Sequence, residues 1–216
     1  MRFPNAYRGI KKIWIAELLM LLATILSIVI IVIPAVNGVN LSVEQNLSQA
    51  YYAPTIASLA LTVAFVGLVA FFLNLLGVIV ARVDDENFRI ALYVTILGIA
   101  ASIVSAIWTN NQRLTDWMDI ATTICSLFAS FYILTGIASL AGKFGDEETR
   151  KVVLKARLWL EGSFCLTAIL KFITVVFRIE NETLLLVLGI GALVVEIISY
   201  ILYLMALKRG KNMLAK

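Results

Sequence analysis

The chain of 216 residues contains no histidine and only two cysteines. Cys125 and Cys165 stand in separate apolar segments, without the Cys-x-x-Cys or Cys/His spacing of a metal site. A zinc site, a haem site and a histidine-activated cysteine nucleophile are therefore not expected, and no cofactor is predicted. The sequence also lacks the HExxH, GxSxG and phosphate-loop motifs, which argues against an intramembrane enzyme.

Charged residues are scarce as well. They make up 15% of the chain, against 61% hydrophobic residues and a mean hydropathy of +0.95, whereas soluble domains carry about a quarter charged residues. Long apolar runs recur from end to end and predict a single membrane domain over residues 1–216. The net charge of +4 does not indicate nucleic-acid binding, because the basic residues lie at the ends of the apolar runs.

Six runs are long enough to cross a bilayer, which needs about 20 apolar residues per helix. They lack the period-2 alternation of a membrane barrel. The sequence thus predicts an all-α, polytopic integral membrane protein with transmembrane helices at about 13–34, 55–81, 90–109, 119–141, 158–177 and 184–207.

Lysine and arginine predict the orientation, because they stay on the cytoplasmic side of short loops. Fifteen of the 18 fall in the N-terminal stretch, the second and fourth loops and the tail, while the alternate loops hold only Arg113 and Arg178. Both termini are therefore expected in the cytoplasm of a multi-pass cell-membrane protein, with the lipid bilayer as its first partner. Trp14 and Trp159 fall at predicted inner boundaries, as interfacial anchors do.

Similar segments recur along the chain. The cores Thr24-Ile25-Leu26, Thr95-Ile96-Leu97 and Ala168-Ile169-Leu170 lie in the first, third and fifth runs. The second and fourth runs are followed by basic and acidic residues, Arg82-Val83-Asp84-Asp85-Glu86 and Lys143-Phe144-Gly145-Asp146-Glu147. Three helical-hairpin repeats would explain this pattern, since membrane proteins are often built from repeats; chance matches between apolar segments are the alternative.

Four segments of the chain are similar to segments of a known group of proteins. The Ala-Glu-Leu-Leu start of helix 1, the Leu-Asn-Leu-Leu-Gly of helix 2, the Gly-Ile-Ala-Ser-Leu-Ala end of helix 4 and the Lys-Ala-Arg-Leu-Trp-Leu start of helix 5 resemble uncharacterised predicted membrane proteins of anaerobic gut bacteria. The resemblance spans most of the chain. It implies a bacterial cytoplasmic membrane and brings neither an activity nor functional residues.

Small and hydroxyl residues at helical spacing let membrane helices approach closely and bond to each other. They predict packing faces between the helices of one bundle or between protomers, while a pathway lined by hydroxyls is the alternative. These residues are Thr122, Ser126 and Ser130 in helix 4, Gly98 and Ser102 in helix 3, and Gly189, Ala192 and Ser199 in helix 6.

Ionisable residues inside a membrane are costly and are therefore candidates for function. Glu17 and Glu161 lie only about 5 Å beyond the inner ends of their helices, at 1.5 Å per residue. Pairing at the interface, with Lys11, Lys12 or Arg157, is the expected use of these two acids. Asn74 lies deeper and could bind across helices.

Glu196 and Lys171 are the two charges that topology does not explain. Glu196 is flanked by aliphatic residues near mid-membrane, and Lys171 is nearer the outer side. A long lysine and one water could join them if helices 5 and 6 pack together. Alternatively, Lys171 snorkels outward and Glu196 is protonated or bonded to a neighbouring Ser or Tyr.

Two functions remain open. The first is a small helical bundle that passes or binds a small solute, ion or lipid, with Glu196 and Lys171 as its polar centre. The alternative is a structural or regulatory membrane subunit that packs against a partner protein or against itself through its small-residue faces.

Overall fold

A computed structural model describes residues 2–36, 47–108, 112–177 and 182–215 of the chain. These residues form six α-helices: α1 (Pro4–Val36), α2 (Leu47–Ala81), α3 (Glu86–Ile107), α4 (Gln112–Phe144), α5 (Glu147–Phe177) and α6 (Glu182–Leu214). No described residue lies in a strand, so the all-α prediction is confirmed. Side chains are described for residues 2–30, 57–108, 113–167, 169, 191, 192 and 194–215.

Four of the helices contain described stretches that are long and apolar enough to cross a membrane. The stretches are Pro4–Ile30, Ala57–Ala81, Glu86–Ile107 and Arg113–Phe144. Length and composition therefore agree with a membrane protein for α1 to α4.

The chain divides into two compact units. The larger unit consists of Met1–Lys11 together with Gly77–Lys216, and the smaller unit is Lys12–Leu76. The smaller unit holds most of α1 and α2, with Ile13, Ala16 and Ala70 buried.

The larger unit is packed mainly at one end. We call this the closed end; it comprises residues 2–11, the turns 82–85 and 145–146, and the last turns of α6. Its buried side chains include Phe88, Leu134, Ile137, Leu140, Val153, Leu207 and Leu214. Towards the other end, which we call the open end, large apolar residues such as Leu97, Ile103, Ile197 and Ile198 are exposed.

Backbone contact joins the start of α1 to the end of α2. A Cβ added to Gly9 would lie 2.5 Å from the carbonyl oxygen of Gly77 and 2.7 Å from the Cβ of Ala81. Only hydrogen in place of a side chain allows so close an approach between two helix backbones. The fold thus requires glycine at position 9.

A tight turn connects α4 to α5. Gly145 has φ +74°, a left-handed conformation that glycine adopts without strain. The amide of Asp146 donates to the carbonyl of Ala141, which closes the end of α4. The Asp146 carboxylate then accepts from the amide and the hydroxyl of Thr149 and so caps α5.

Candidate functional site

Asp85 is the centre of a polar cluster at the closed end. It is the N-cap of α3, where its Oδ1 accepts from the backbone amide of Asn87 at 3.0 Å. Its other oxygen accepts from the hydroxyl of Ser139 at 2.8 Å and from the ammonium of Lys143 at 2.9 Å, both on α4. The side chain is 3% exposed, so this buried carboxylate ties α3 to α4 with its hydrogen-bonding capacity well used.

The environment of Asp85 favours its ionised form. Burial alone would raise the pKa of this carboxyl, but the hydrogen bonds from Lys143, Asn87 and Ser139 outweigh burial. The pKa of Asp85 therefore lies below its ordinary value.

Asp84, the preceding residue, holds the beginning of α1. Its Oδ2 accepts from the amide of Ala6 at 2.6 Å, and its Oδ1 accepts from the side-chain amide of Asn5 at 3.1 Å. A carboxylate is favoured there because the first amides of a helix have no partner within the helix. The two neighbouring acids thus connect the turn 82–85 to two different helices.

Glu17 and Asn74 meet within the smaller unit. The side-chain amide of Asn74 on α2 donates to Oε1 of Glu17 on α1 at 3.0 Å. Both side chains are half-buried. This polar pair links the two helices across their apolar surroundings.

Glu161 lies beside Arg157 on α5. The two side chains form an ion pair at 3.0 Å, in a geometry too bent for a hydrogen bond. The guanidinium also lies 4.8 Å from the ring centroid of Phe131 and 3.4 Å from the hydroxyl of Thr135, both on α4. Arg157 thereby engages Glu161 and α4 at once.

The predicted packing residues of α3 and α4 meet in part. The hydroxyls of Ser102 and Thr122 lie 3.4 Å apart across the two helices. A Cβ added to Gly98 would lie 3.1 Å from the Cβ of Cys125, so the helices approach closely at this glycine. Further along α4, Ser126 is exposed and Ser130 is half-buried.

On α6, Ser199 and Glu196 differ in their contacts. Ser199 is 1% exposed, and its hydroxyl donates to the carbonyl of Trp159 on α5 at 3.1 Å. Glu196 is exposed, and it forms no hydrogen bond or ion pair with the described residues. Ala192 is half-buried. The side chain of Lys171 and the surroundings of Gly189 lie outside the described residues, so the pairing of Glu196 with Lys171 stays a prediction.

The faces of α4 and α6 that meet at the closed end are polar further along. Gly210 packs on Ile137, whose Cγ2 would lie 2.6 Å from a Cβ at position 210. Both helices run from the open end to the closed end, and residues seven apart share a face. Moving towards the open end, the α6 face continues through Tyr203, which is 3% exposed, to Glu196.

The matching face of α4 continues from Ile137 to Ser130 and Ser126. The two faces are in contact at Gly210 and Ile137, whereas Glu196 and Ser126, further along, are exposed. Helical spacing places Ser126 and Ser130 of α4 and Glu196 of α6 along these faces beyond the contact, and we call these three positions the α4–α6 cleft. It combines a carboxylate with two hydroxyls, a donor set suited to a cation.

Sequence reasoning did not single out Asp84, Asp85, Ser139 and Lys143. One local signal was present, because an aspartate just before an apolar helix is typical of an N-cap. The remaining contacts join residues more than 50 positions apart along the chain, and no local pattern predicts them.

No protein-family model, curated protein or solved structure matches this chain.

Proposed function

We propose that the chain is a six-span membrane protein that binds a small cation or cationic solute in the α4–α6 cleft, with Glu196 as the main ligand. The observation that carries the proposal is the position of Glu196. It is an exposed carboxylate without a polar contact to the described residues, on a helix face that is otherwise used for packing.

The charge distribution supports a cytoplasmic closed end. Exposed basic residues gather there, among them Arg8, Lys11, Arg82, Lys151 and Lys208. Basic residues stay on the cytoplasmic side of membrane proteins. In this orientation the open end faces outward, and both termini are cytoplasmic.

The depth of Glu196 makes a ligand favourable. Within the predicted span 184–207 it lies about 18 Å from residue 184 and about 17 Å from residue 207, at 1.5 Å per residue, and so near the middle of the span. An unpaired carboxylate at that depth costs several kcal/mol. A bound cation would offset this cost, and the hydroxyls of Ser126 and Ser130 would replace part of its hydration shell.

The closed end favours binding over free passage. Beyond Tyr203 the α4–α6 contact is apolar and close, with Ile137 against Gly210 and with Leu134 and Leu207 buried. A hydrated ion could cross that layer only if the helices separated. Transport would therefore require a change of conformation, as in proteins with alternating access.

The second candidate is a structural or regulatory subunit. An aliphatic stripe on the opposite side of α6 favours it: Val194, Ile198, Ile201 and Met205 share one face, and each is between 43% and 51% exposed. Lipid tails cover such a face equally well, because they are as apolar as leucine. The stripe therefore carries less weight than the exposed acid.

The proposal predicts cation-dependent stability. At constant ionic strength, one of sodium, potassium or tetramethylammonium should stabilise the purified protein by about 2–3 kcal/mol at 100 times its dissociation constant. Thermal unfolding in nanodiscs measures the effect. Glu196→Gln should abolish it, whereas Glu148→Gln, which removes an exposed acid at the closed end, should respond like the wild type. Equal responses of the wild type and Glu196→Gln to all three cations would contradict the proposal.

A further inference from the structure

A shallow apolar groove runs between α5 and α6. Its volume is about 310 Å³, and it is lined by Leu158, Trp159, Gly162, Ser163 and Val195. The hydroxyl of Ser163 is bound within α5, where it donates to the carbonyl of Leu160 at 2.9 Å. The groove therefore presents mainly apolar surface, with Trp159 45% exposed beside it.

Gly162 leaves the floor of the groove open. A Cβ at this position would meet no atom within 4 Å. The space is large enough for an aliphatic chain, and its lining is of the kind that such a chain contacts favourably.

Two lysines continue the groove towards the closed end. Lys155 lies one turn before Leu158 and Trp159, and Lys151 lies one turn further, so all four share one side of α5. Both lysines are exposed and form no ion pair with the described residues.

Four other cations at the closed end have acidic partners. Arg89 pairs with Glu86, Lys143 with Asp85, Arg150 with Glu147, and Arg209 with Glu148. The absence of such a partner at Lys151 and Lys155 leaves two positive charges next to the apolar groove. This surface is therefore complementary to a ligand with an anionic group and an aliphatic tail.

We propose that this groove binds an anionic phospholipid of the cytoplasmic leaflet. One acyl chain lies along Leu158, Gly162 and Val195, and the phosphate contacts Lys155 and Lys151. The axial rise from Trp159 to Lys155 is about 6 Å, which places the ring at the boundary where tryptophan anchors membrane proteins and the ammonium groups at the phosphates. The inference rests on the membrane orientation in the proposed function, and it is independent of cation binding at Glu196.

Native mass spectrometry of the full-length protein, titrated with phosphatidylglycerol or phosphatidylcholine, tests whether the two lysines bind the lipid phosphate. The wild type should retain one phosphatidylglycerol in preference to phosphatidylcholine. The double variant Lys151→Gln/Lys155→Gln should lower the affinity for phosphatidylglycerol by about tenfold, because each basic residue near an anionic lipid contributes measurably. The control Arg8→Gln/Lys11→Gln loses the same charge from two exposed cations on α1 and should bind like the wild type.

The variant Gly162→Phe tests whether an acyl chain lies in the groove. Since a Cβ at position 162 meets no atom within 4 Å, we expect the fold to persist while the ring occupies the groove and lipid retention falls for both headgroups. Gly191→Phe is the matched control, since that glycine on α6 also has no neighbour within 4 Å.

Two results would overturn the lipid proposal. Unchanged phosphatidylglycerol binding in both the lysine and the Gly162 variants would remove the site, and displacement by glycerol phosphate at equal concentration would reduce it to a surface for free phosphate. Glu196→Gln should bind the lipid normally, so a failure here is distinguishable from a failure of cation binding.

Discussion

Replacing Gly9 with alanine is expected to destabilise the protein by about 3 kcal/mol, because overpacking between helices that cannot separate costs roughly that much. The added methyl group would lie 2.5 Å from the Gly77 carbonyl oxygen and 2.8 Å from the Ala81 amide nitrogen. Backbone atoms cannot move aside as a flexible side chain can, so the start of α1 would be displaced from the end of α2. Reversible unfolding in mixed detergent micelles measures the loss.

Gly67→Ala is the control for this prediction. That glycine also lies within a helix, but a Cβ there would meet no atom within 4 Å. Alanine should be neutral or stabilising by up to about 1 kcal/mol, because it forms helix better than glycine. Equal stabilities of the two variants would mean that α1 and α2 do not cross closely at Gly9.

Asp85→Ala should be about as damaging, with an expected loss near 3 kcal/mol. The change removes the N-cap of α3, worth about 1 kcal/mol, and leaves the Ser139 hydroxyl without its acceptor. Asp85→Asn keeps a capping oxygen and should lose less. The neighbouring change Glu86→Gln should stay within about 0.5 kcal/mol, because that side chain is 72% exposed.

The lowered pKa of Asp85 gives this contribution a definite pH dependence. The carboxyl is a stronger acid in the folded than in the unfolded chain, so its stabilisation is fully present above the unfolded pKa, about 3.9. The stabilisation should be lost as the pH falls through the lower folded pKa. Measuring the free energy of unfolding of the wild type and of Asp85→Asn from about pH 6 down to about pH 3 isolates the contribution of the Asp85 carboxyl. A difference between the two proteins that does not change over this range would contradict the assignment.

Hydrophobic runs predicted where the helices lie, but not where they end. The run 158–177 belongs to α5, which begins earlier, at Glu147, and the run 13–34 belongs to α1, which begins at Pro4. Hydropathy measures the stretch that tolerates lipid, whereas these extensions carry charged residues. Ala6 and Ile10 are nevertheless buried, because tertiary packing at the closed end stabilises helix beyond the apolar run.

The acids of the turn 82–85 show the limit of sequence reasoning for the site. Sequence patterns assign them no contact, yet the Asp85 side chain is buried by α4. By contrast, Glu196 stood out from its apolar flanks alone, since a carboxylate there needs an explanation in any membrane fold. Asp85 and Asp146 cap α3 and α5 in the same way, while the three-hairpin repeat itself stays a prediction.

The most direct test of the cleft compares two cysteines at nearly the same depth on α6. Glu196 and Ile198 are two positions apart, so their side chains point about 200° apart around the helix. In a variant free of Cys125 and Cys165, Glu196→Cys should react with an impermeant cationic thiol reagent added to intact cells, and Ile198→Cys should not. Arg113→Cys should also react, while Glu148→Cys should react only after permeabilisation. An unreactive Glu196→Cys, or equal reactivity at 196 and 198, would contradict an outward-facing aqueous cleft between α4 and α6.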